Sequence, residues 1–334
     1  MRWSRLLPLV ASFGLAVSGA PEAQAQAWVP PKGEASLTLG FSRSFADEHI
    51  DYLGNVLTLD AQGVPRARAS GVGLGAMTWN SADSDLGYGI TDRLAVRVGV
   101  PFVVSRYEGA FPHVPLPGHQ YQDDARWHGT LQDLRAEFRF KATTGSLVVT
   151  PLVALSLPTH SYEFYAHAAA GRHLAEGQVG VNVGRLLDPV LPNSYVQARY
   201  TFTVPEKELG IWHNRSNLFF DAGYFVTPAL TVSVIGFWQK THGGWRTDID
   251  YPPPTDPNIL FHDQLQRSDY FRLGGGASYA LTGSIDVSAS AYASLYVRSE
   301  VNMAGFSLNV TYSFSPSQLI KKRKTPMGRP GKPS

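Results

Sequence analysis

The stretch Phe306-Ser307-Leu308-Asn309-Val310-Thr311-Tyr312-Ser313-Phe314 alternates an apolar or aromatic residue with a small polar one at every step. Period-two alternation places all the apolar side chains on one face of an extended strand and all the polar ones on the other. Upstream, Ile285, Val287, Ala289, Ala291, Ala293, Leu295 and Val297 alternate with Asp286, Ser288, Ser290, Tyr292, Ser294, Tyr296 and Arg298. Further rows are Val179, Val181 and Val183, and Leu94, Val96, Val98, Val100, Phe102 and Val104. The chain reads as all-β from about Lys32 onward.

Connection lengths separate a soluble sandwich from a membrane barrel. Short turns are expected at residues 91–93, 143–146, 188–193, 227–229 and 281–284. Longer polar segments fall at 47–76, 108–128, 159–175, 205–215 and 243–267, and a tight reversal at 299–302. Short and long connections are thus expected to alternate strictly, as the short periplasmic turns and longer external loops of outer-membrane barrels do. Five turns and six outer connections join twelve strands, predicting an antiparallel up-and-down transmembrane barrel over residues 28–315 with both termini periplasmic. Tyr88, Phe140, Tyr195, Tyr224, Tyr279 and Tyr312 near the turns, and Phe41, Phe102, Trp238, Phe271 and Tyr296 near the loops, would form interfacial girdles.

The chain ends fit export. Arg2 and Arg5 precede the uncharged stretch from Leu6 to Ala20, and Ala23-Gln-Ala25 or Ala25-Gln-Ala27 supplies a small-x-small cleavage pattern, so residues 1–25 read as a signal peptide. There is no cysteine, which removes disulfides and thiolate metal sites. Formal charge is +2, from 29 basic and 27 acidic residues. Setting aside the leader (two basic, one acidic) and the tail after Phe314 (six basic) leaves 21 basic and 26 acidic, about −5. The basic charge sits at the ends, which argues against a nucleic-acid partner. Residues 316–334, with Lys321-Lys-Arg-Lys324, read as a basic disordered periplasmic tail. Phe314 is the aromatic that barrel-assembly machinery would read.

If Leu134, Ala136, Phe138 and Phe140 face lipid, then Asp133, Arg135, Glu137, Arg139 and Lys141 point inward, because a charge on the lipid face costs about 2–4 kcal/mol at the bilayer midplane. The lumen-lining candidates are Arg97, Asp133, Arg135, Glu137, Arg139, Arg199, Asp221 and Arg272. Their mixed signs suggest lumenal ion pairs instead of a single-sign filter. The proline-bearing segments 108–128 and 243–267, with Tyr251-Pro-Pro-Pro254, are candidates to fold over or into the mouth. All ten histidines fall in or beside the outer loops, and a subset such as His113, His119 and His128 could hold Zn²⁺ or Cu²⁺.

Gly129-Thr-Leu-Gln-Asp-Leu-Arg-Ala-Glu-Phe-Arg-Phe140 and Leu152-Val-Ala-Leu-Ser-Leu-Pro-Thr159 resemble strand motifs of a transporter family of outer-membrane proteins labelled for the meta-pathway of phenol degradation. His160 stands where that family carries glycine. The resemblance implies passage of small, aromatic or apolar compounds. The sequence therefore points to a monomeric, non-enzymatic channel with a narrow polar lumen and no cofactor, set among outer-membrane lipid and lipopolysaccharide. The alternatives are a lipid-modifying enzyme and a non-conducting structural barrel. An enzyme would resemble the outer-membrane phospholipases in a His-x-Ser-Asn pattern. Here His213 and Ser216 are three apart and belong on opposite strand faces.

Overall fold

The computed structural model describes residues 27–67, 72–143, 145–246 and 261–317. The leader, most of the basic tail and the Tyr251-Pro-Pro-Pro254 segment lie outside the described residues. The barrel strands, in chain order, are β1 (Ala35–Ile50), β2 (Gly75–Gly89), β3 (Leu94–Gly109) and β4 (His128–Leu131 continued by Asp133–Phe140). Next come β5 (Leu147–Pro158), β6 (Glu176–Leu186), β7 (Ser194–Pro205) and β8 (His213–Phe225). Last are β9 (Leu230–Gly243), β10 (Asp269–Ala280), β11 (Ile285–Arg298) and β12 (Glu300–Phe314). Each strand pairs antiparallel with its chain neighbour, and β1 pairs with β12 from Ala35↔Phe314 to Ile50↔Glu300. That last pairing leaves no free edge. The result is a closed twelve-stranded antiparallel barrel.

The polarity is inverted relative to a soluble fold. Leu39, Val153, Val179, Val234, Leu308 and Val310 are exposed around the outside, while Ser42, Thr150, Asn182, Thr201, Thr241 and Thr311 are buried within. Inner hydroxyls bond across strands, as in Thr38 to Thr311 at 2.9 Å and Ser290 to Ser307 at 2.8 Å. An apolar exterior this continuous requires lipid to cover it.

Three expectations need correction. The outer connection at 206–212 is no longer than the turn at 187–193, so loop length does not alternate strictly. Glu208 and Ile211 bridge to each other there and hold it tight. Tyr195 is not in a girdle: it turns inward and donates to Asp221 Oδ2 at 2.9 Å. In β11 the register slips between Phe271↔Tyr296 and Arg272↔Ser294, leaving Leu295 as a bulge. Beyond it the faces exchange, so Val297 is buried and Tyr296 exposed. Of the other girdle positions, Tyr88, Phe140, Tyr224, Tyr279 and Tyr312 are exposed at the turn end and Phe41 and Phe102 toward the loop end, while Trp238 and Phe271 are only half-exposed.

Chain enters the barrel at both ends. At the turn end Ala27 is fully buried, its carbonyl accepting from Thr150 Oγ1 at 2.6 Å. At the loop end residues 159–175, which lack the prolines that marked the other two loops, dip inside. Ser105 Oγ donates to the Ala168 carbonyl and Gln132 Nε2 to that of Ala170 at 2.8 Å. Ala168 and Ala170 pack there against Met77, Trp79, Val103, Tyr107, Tyr292 and Met303. The expectation for 108–128 holds in part, because Phe111, Pro112 and Val114 roof the mouth.

Candidate functional site: a charged lumen below a loop-roofed chamber

The central cavity, about 320 Å³, is lined by six arginines (Arg97, Arg135, Arg139, Arg172, Arg199, Arg215) and six carboxylates (Asp83, Asp85, Asp133, Glu137, Glu176, Glu300). Strand parity sets most of them. On β4 the residues alternating with lipid-facing Leu134, Phe138 and Phe140 point in, as the sequence predicts. Glu137 is the hub: it pairs with Arg139 on its own strand and with Arg199 of β7 across the lumen, one Arg199–Glu137 contact measuring 3.1 Å. Arg199 also reaches Asn182 Oδ1 at 3.5 Å. Arg97 bonds Asp85 at 3.1 Å. That approach depends on Gly99, where a Cβ would lie 2.1 Å from Asp85 Oδ1. Arg215 pairs with Glu176 at 2.5 Å.

Arg97, Asp133, Arg135, Glu137, Arg139 and Arg199 thus meet in one cavity. Asp221 and Arg272 are also buried and inward but do not line it. Asp221 anchors Tyr195 and Gln197 near the turn end, and Arg272 stacks on the Tyr270 ring at 3.9 Å. Asp83, Glu176, Arg215, Arg172 and Glu300 were not foreseen. Arg172 arrives on the inward-folded loop, and no strand pattern covers it. Arg135 Nε and Arg172 Nη1 are buried without a hydrogen-bond partner.

Above lies a second cavity of about 510 Å³. Its walls are apolar and aromatic, including Leu57, Leu74, Met77, Trp79, Phe111, Val114, Tyr165 and Val301, with His49, His113, His167 and His262 among them. The two cavities share Gly171, Arg172 and Glu300 as lining, so they abut at the inward loop. The narrow polar lumen expected from the sequence is only the lower half of the interior.

The histidines all lie at the loop end, yet His113, His119 and His128 do not form one site. His119 is held by Glu163 at 2.8 Å and His128 by Asp124 at 2.8 Å. Only His113 joins others: one ring nitrogen each of His113, His167 and His262 lies within 4.8 Å of the other two. Hydrogen bonds from His119 and from the Gln120 and Tyr165 amides outweigh burial, which acts the other way, and hold the Glu163 carboxyl below its ordinary range. His213 does not meet Ser216. The Ser216 hydroxyl instead bonds His242 Nε2 at 2.8 Å and Tyr200 at 3.0 Å on the outward face.

No family model and no curated protein matches the chain. Among solved structures it is similar to the COG4313 outer membrane channel from Pseudomonas putida F1, with TM-score 0.63 and 13% identity over 87% of this chain and 99% of that one. It also aligns with the translocator domain of the autotransporter NalP from Neisseria meningitidis, with TM-score 0.44 and 10% identity over 85% and 90%. The first likeness shows a shared barrel fold.

Proposed function

We propose that the protein is an outer-membrane channel of a Gram-negative bacterium, with loops outside and both termini in the periplasm. Its solutes would be small, with an apolar or aromatic body and a polar handle. The observation that carries this reading is the stacking of an apolar chamber directly on a charge-balanced lumen. A concave site of several hundred Å³, mainly apolar with a few polar groups, suits a small organic ligand. Equal numbers of arginines and carboxylates below it give no reason to select one sign of ion. The fold likeness to a channel from Pseudomonas putida F1 and the resemblance to the meta-pathway family accord with this. Arg97, Asp133, Arg135, Glu137, Arg139 and Arg199 would line the path, with Asp221 and Arg272 bracing the wall beside it.

The test is reconstitution in planar bilayers and liposomes with a panel of neutral aromatic, aliphatic and charged solutes. Entry of aromatic or apolar solutes that saturates, and slows in Trp79→Ala, supports the reading. Absence of both conductance and uptake for every solute would favour a structural barrel. One observation favours a second reading, the Ser216–His242 hydrogen bond on the lipid-facing side. Against it, the Ser216 hydroxyl is shared with Tyr200 and only 7% of the residue is exposed. Phospholipid hydrolysis abolished by Ser216→Ala would establish that reading.

A further inference from the structure

Three imidazoles and a carboxylate converge under the loop roof from segments far apart in the chain: His113 and Asp123 from 110–127, His167 from 159–175, and His262 from the short helix His262–Leu265. His113 Nδ1 and His167 Nδ1 lie 2.9 and 2.8 Å from the same atom, Asp123 Oδ2, and 3.1 Å from each other. Ligands of a tetrahedral Zn²⁺ bound at about 2.0–2.1 Å stand roughly 3.3 Å apart. The three atoms are therefore already close to the edges of such a tetrahedron, with the His262 ring stacked 5.1 Å from that of His113.

We propose that His113, Asp123, His167 and His262 bind one divalent transition-metal ion, Zn²⁺ first among them, which staples three loops across the mouth. The donor set suits it, because three imidazoles favour such cations over Ca²⁺ or Mg²⁺, and Zn²⁺ accepts a carboxylate oxygen beside them.

The surroundings hold the donors in place. The Asp123 side chain is fully buried and also accepts from the His113 and Ala168 amides at 2.9 and 3.1 Å. Tyr107 stacks on His167 at 4.3 Å. His49 meets His167 edge-on at 5.3 Å, its ring nitrogens buried without partners, and Asp263 Oδ2 is 3.9 Å from His113 Nε2. This inference stands apart from the channel reading, since the site could exist in a barrel that conducts nothing.

The test uses full-length refolded protein without a polyhistidine tag, titrated with ZnCl₂ by calorimetry and with Co²⁺ by visible absorption. The expected result is one equivalent of Zn²⁺ and the intense d–d band of tetrahedral Co²⁺. Loss of a ligand should weaken binding by roughly 100-fold or more in His113→Gln and His167→Gln, given that even outer partners of such ligands matter by 10–100-fold. His262→Gln, on a partly exposed ring, serves if either of those fails to assemble. His119→Gln and His128→Gln should bind as the parent does. No Zn²⁺ heat and no cobalt band, or equal weakening by His119→Gln, would overturn the assignment.

Discussion

The two halves of the interior are built by different means. The lower cavity is chiefly a product of strand parity: once Leu134, Phe138 and Phe140 face out, Asp133, Arg135, Glu137 and Arg139 must face in, and Glu137 meets Arg199 from an equally regular strand. The upper chamber is a product of loops. Its roof and three of its four histidines come from 110–127, 159–175 and the segment around His262, while His49 comes from β1. Parity-built sites should therefore fail with the barrel itself. Loop-built sites should fail while the barrel survives.

The sharpest way to break that contrast is Glu137→Gln, which leaves the Arg139 and Arg199 guanidiniums without their shared anion in a buried wall. Removing one member of a buried ion network costs about 3–5 kcal/mol. The expected outcome is a large drop in the temperature at which the folded band disappears on an unheated detergent gel. Leu308→Arg tests the outer side of the same wall. An arginine on the lipid face costs about 2–4 kcal/mol near the midplane, whereas the same change at an exposed loop residue such as Leu53 should be silent.

Tyr162→Phe is the corresponding test for the loop half. Its hydroxyl donates to Asp133 at 2.5 Å and receives the His173 amide at 3.0 Å, fastening the inward loop to the lumen wall. Leaving a buried carboxylate short of a donor costs about 1–3 kcal/mol. Limited proteolysis should then cut within 159–175 while the gel shift of the barrel is unchanged.

The smallest effect is expected at Glu163, whose carboxylate joins the two roof loops through His119, Gln120 and Tyr165. Its folded-state value is depressed, so its contribution is complete above the ordinary glutamate range near 4.3 and is lost as pH falls through the lower folded value. Proteolytic opening of the roof should rise below about pH 4 in the parent, where the barrel also feels acid. In Glu163→Gln the roof should already be loosened at pH 7, with less further change on acidification. A roof equally protected at pH 7 in both proteins would remove Glu163 from the latch.

Much of the wall is legible in the sequence because each strand carries its own face assignment. The inward set on β4 follows from four apolar neighbours without any knowledge of the other strands. The reading goes wrong where local geometry breaks the period. The bulge at Leu295 turns Val297 inward, and nothing in the alternation marks it. Tyr195 has the composition of a girdle residue, but Asp221 on β8 supplies a buried acceptor that draws it in. The inward loop did leave a trace, since Ala166 to Gly171 has small residues and one histidine where an exposed loop would carry charge. His167 itself lies in that run, whereas His119 and His128, equally plausible by composition, face carboxylates of their own.

What the sequence by itself determined is the barrel, its twelve strands, its inside and outside, and the mixed charge of its lumen. Those features are periodic and local, and the penalty for placing a charge in lipid makes each strand's choice nearly independent of the rest. Only the tertiary structure decided the apolar chamber, the loop that separates it from the lumen, and the meeting of His113, Asp123, His167 and His262. These depend on contacts between loops, where no repeating geometry links one residue's position to its neighbour's and long-range packing alone chooses the partners.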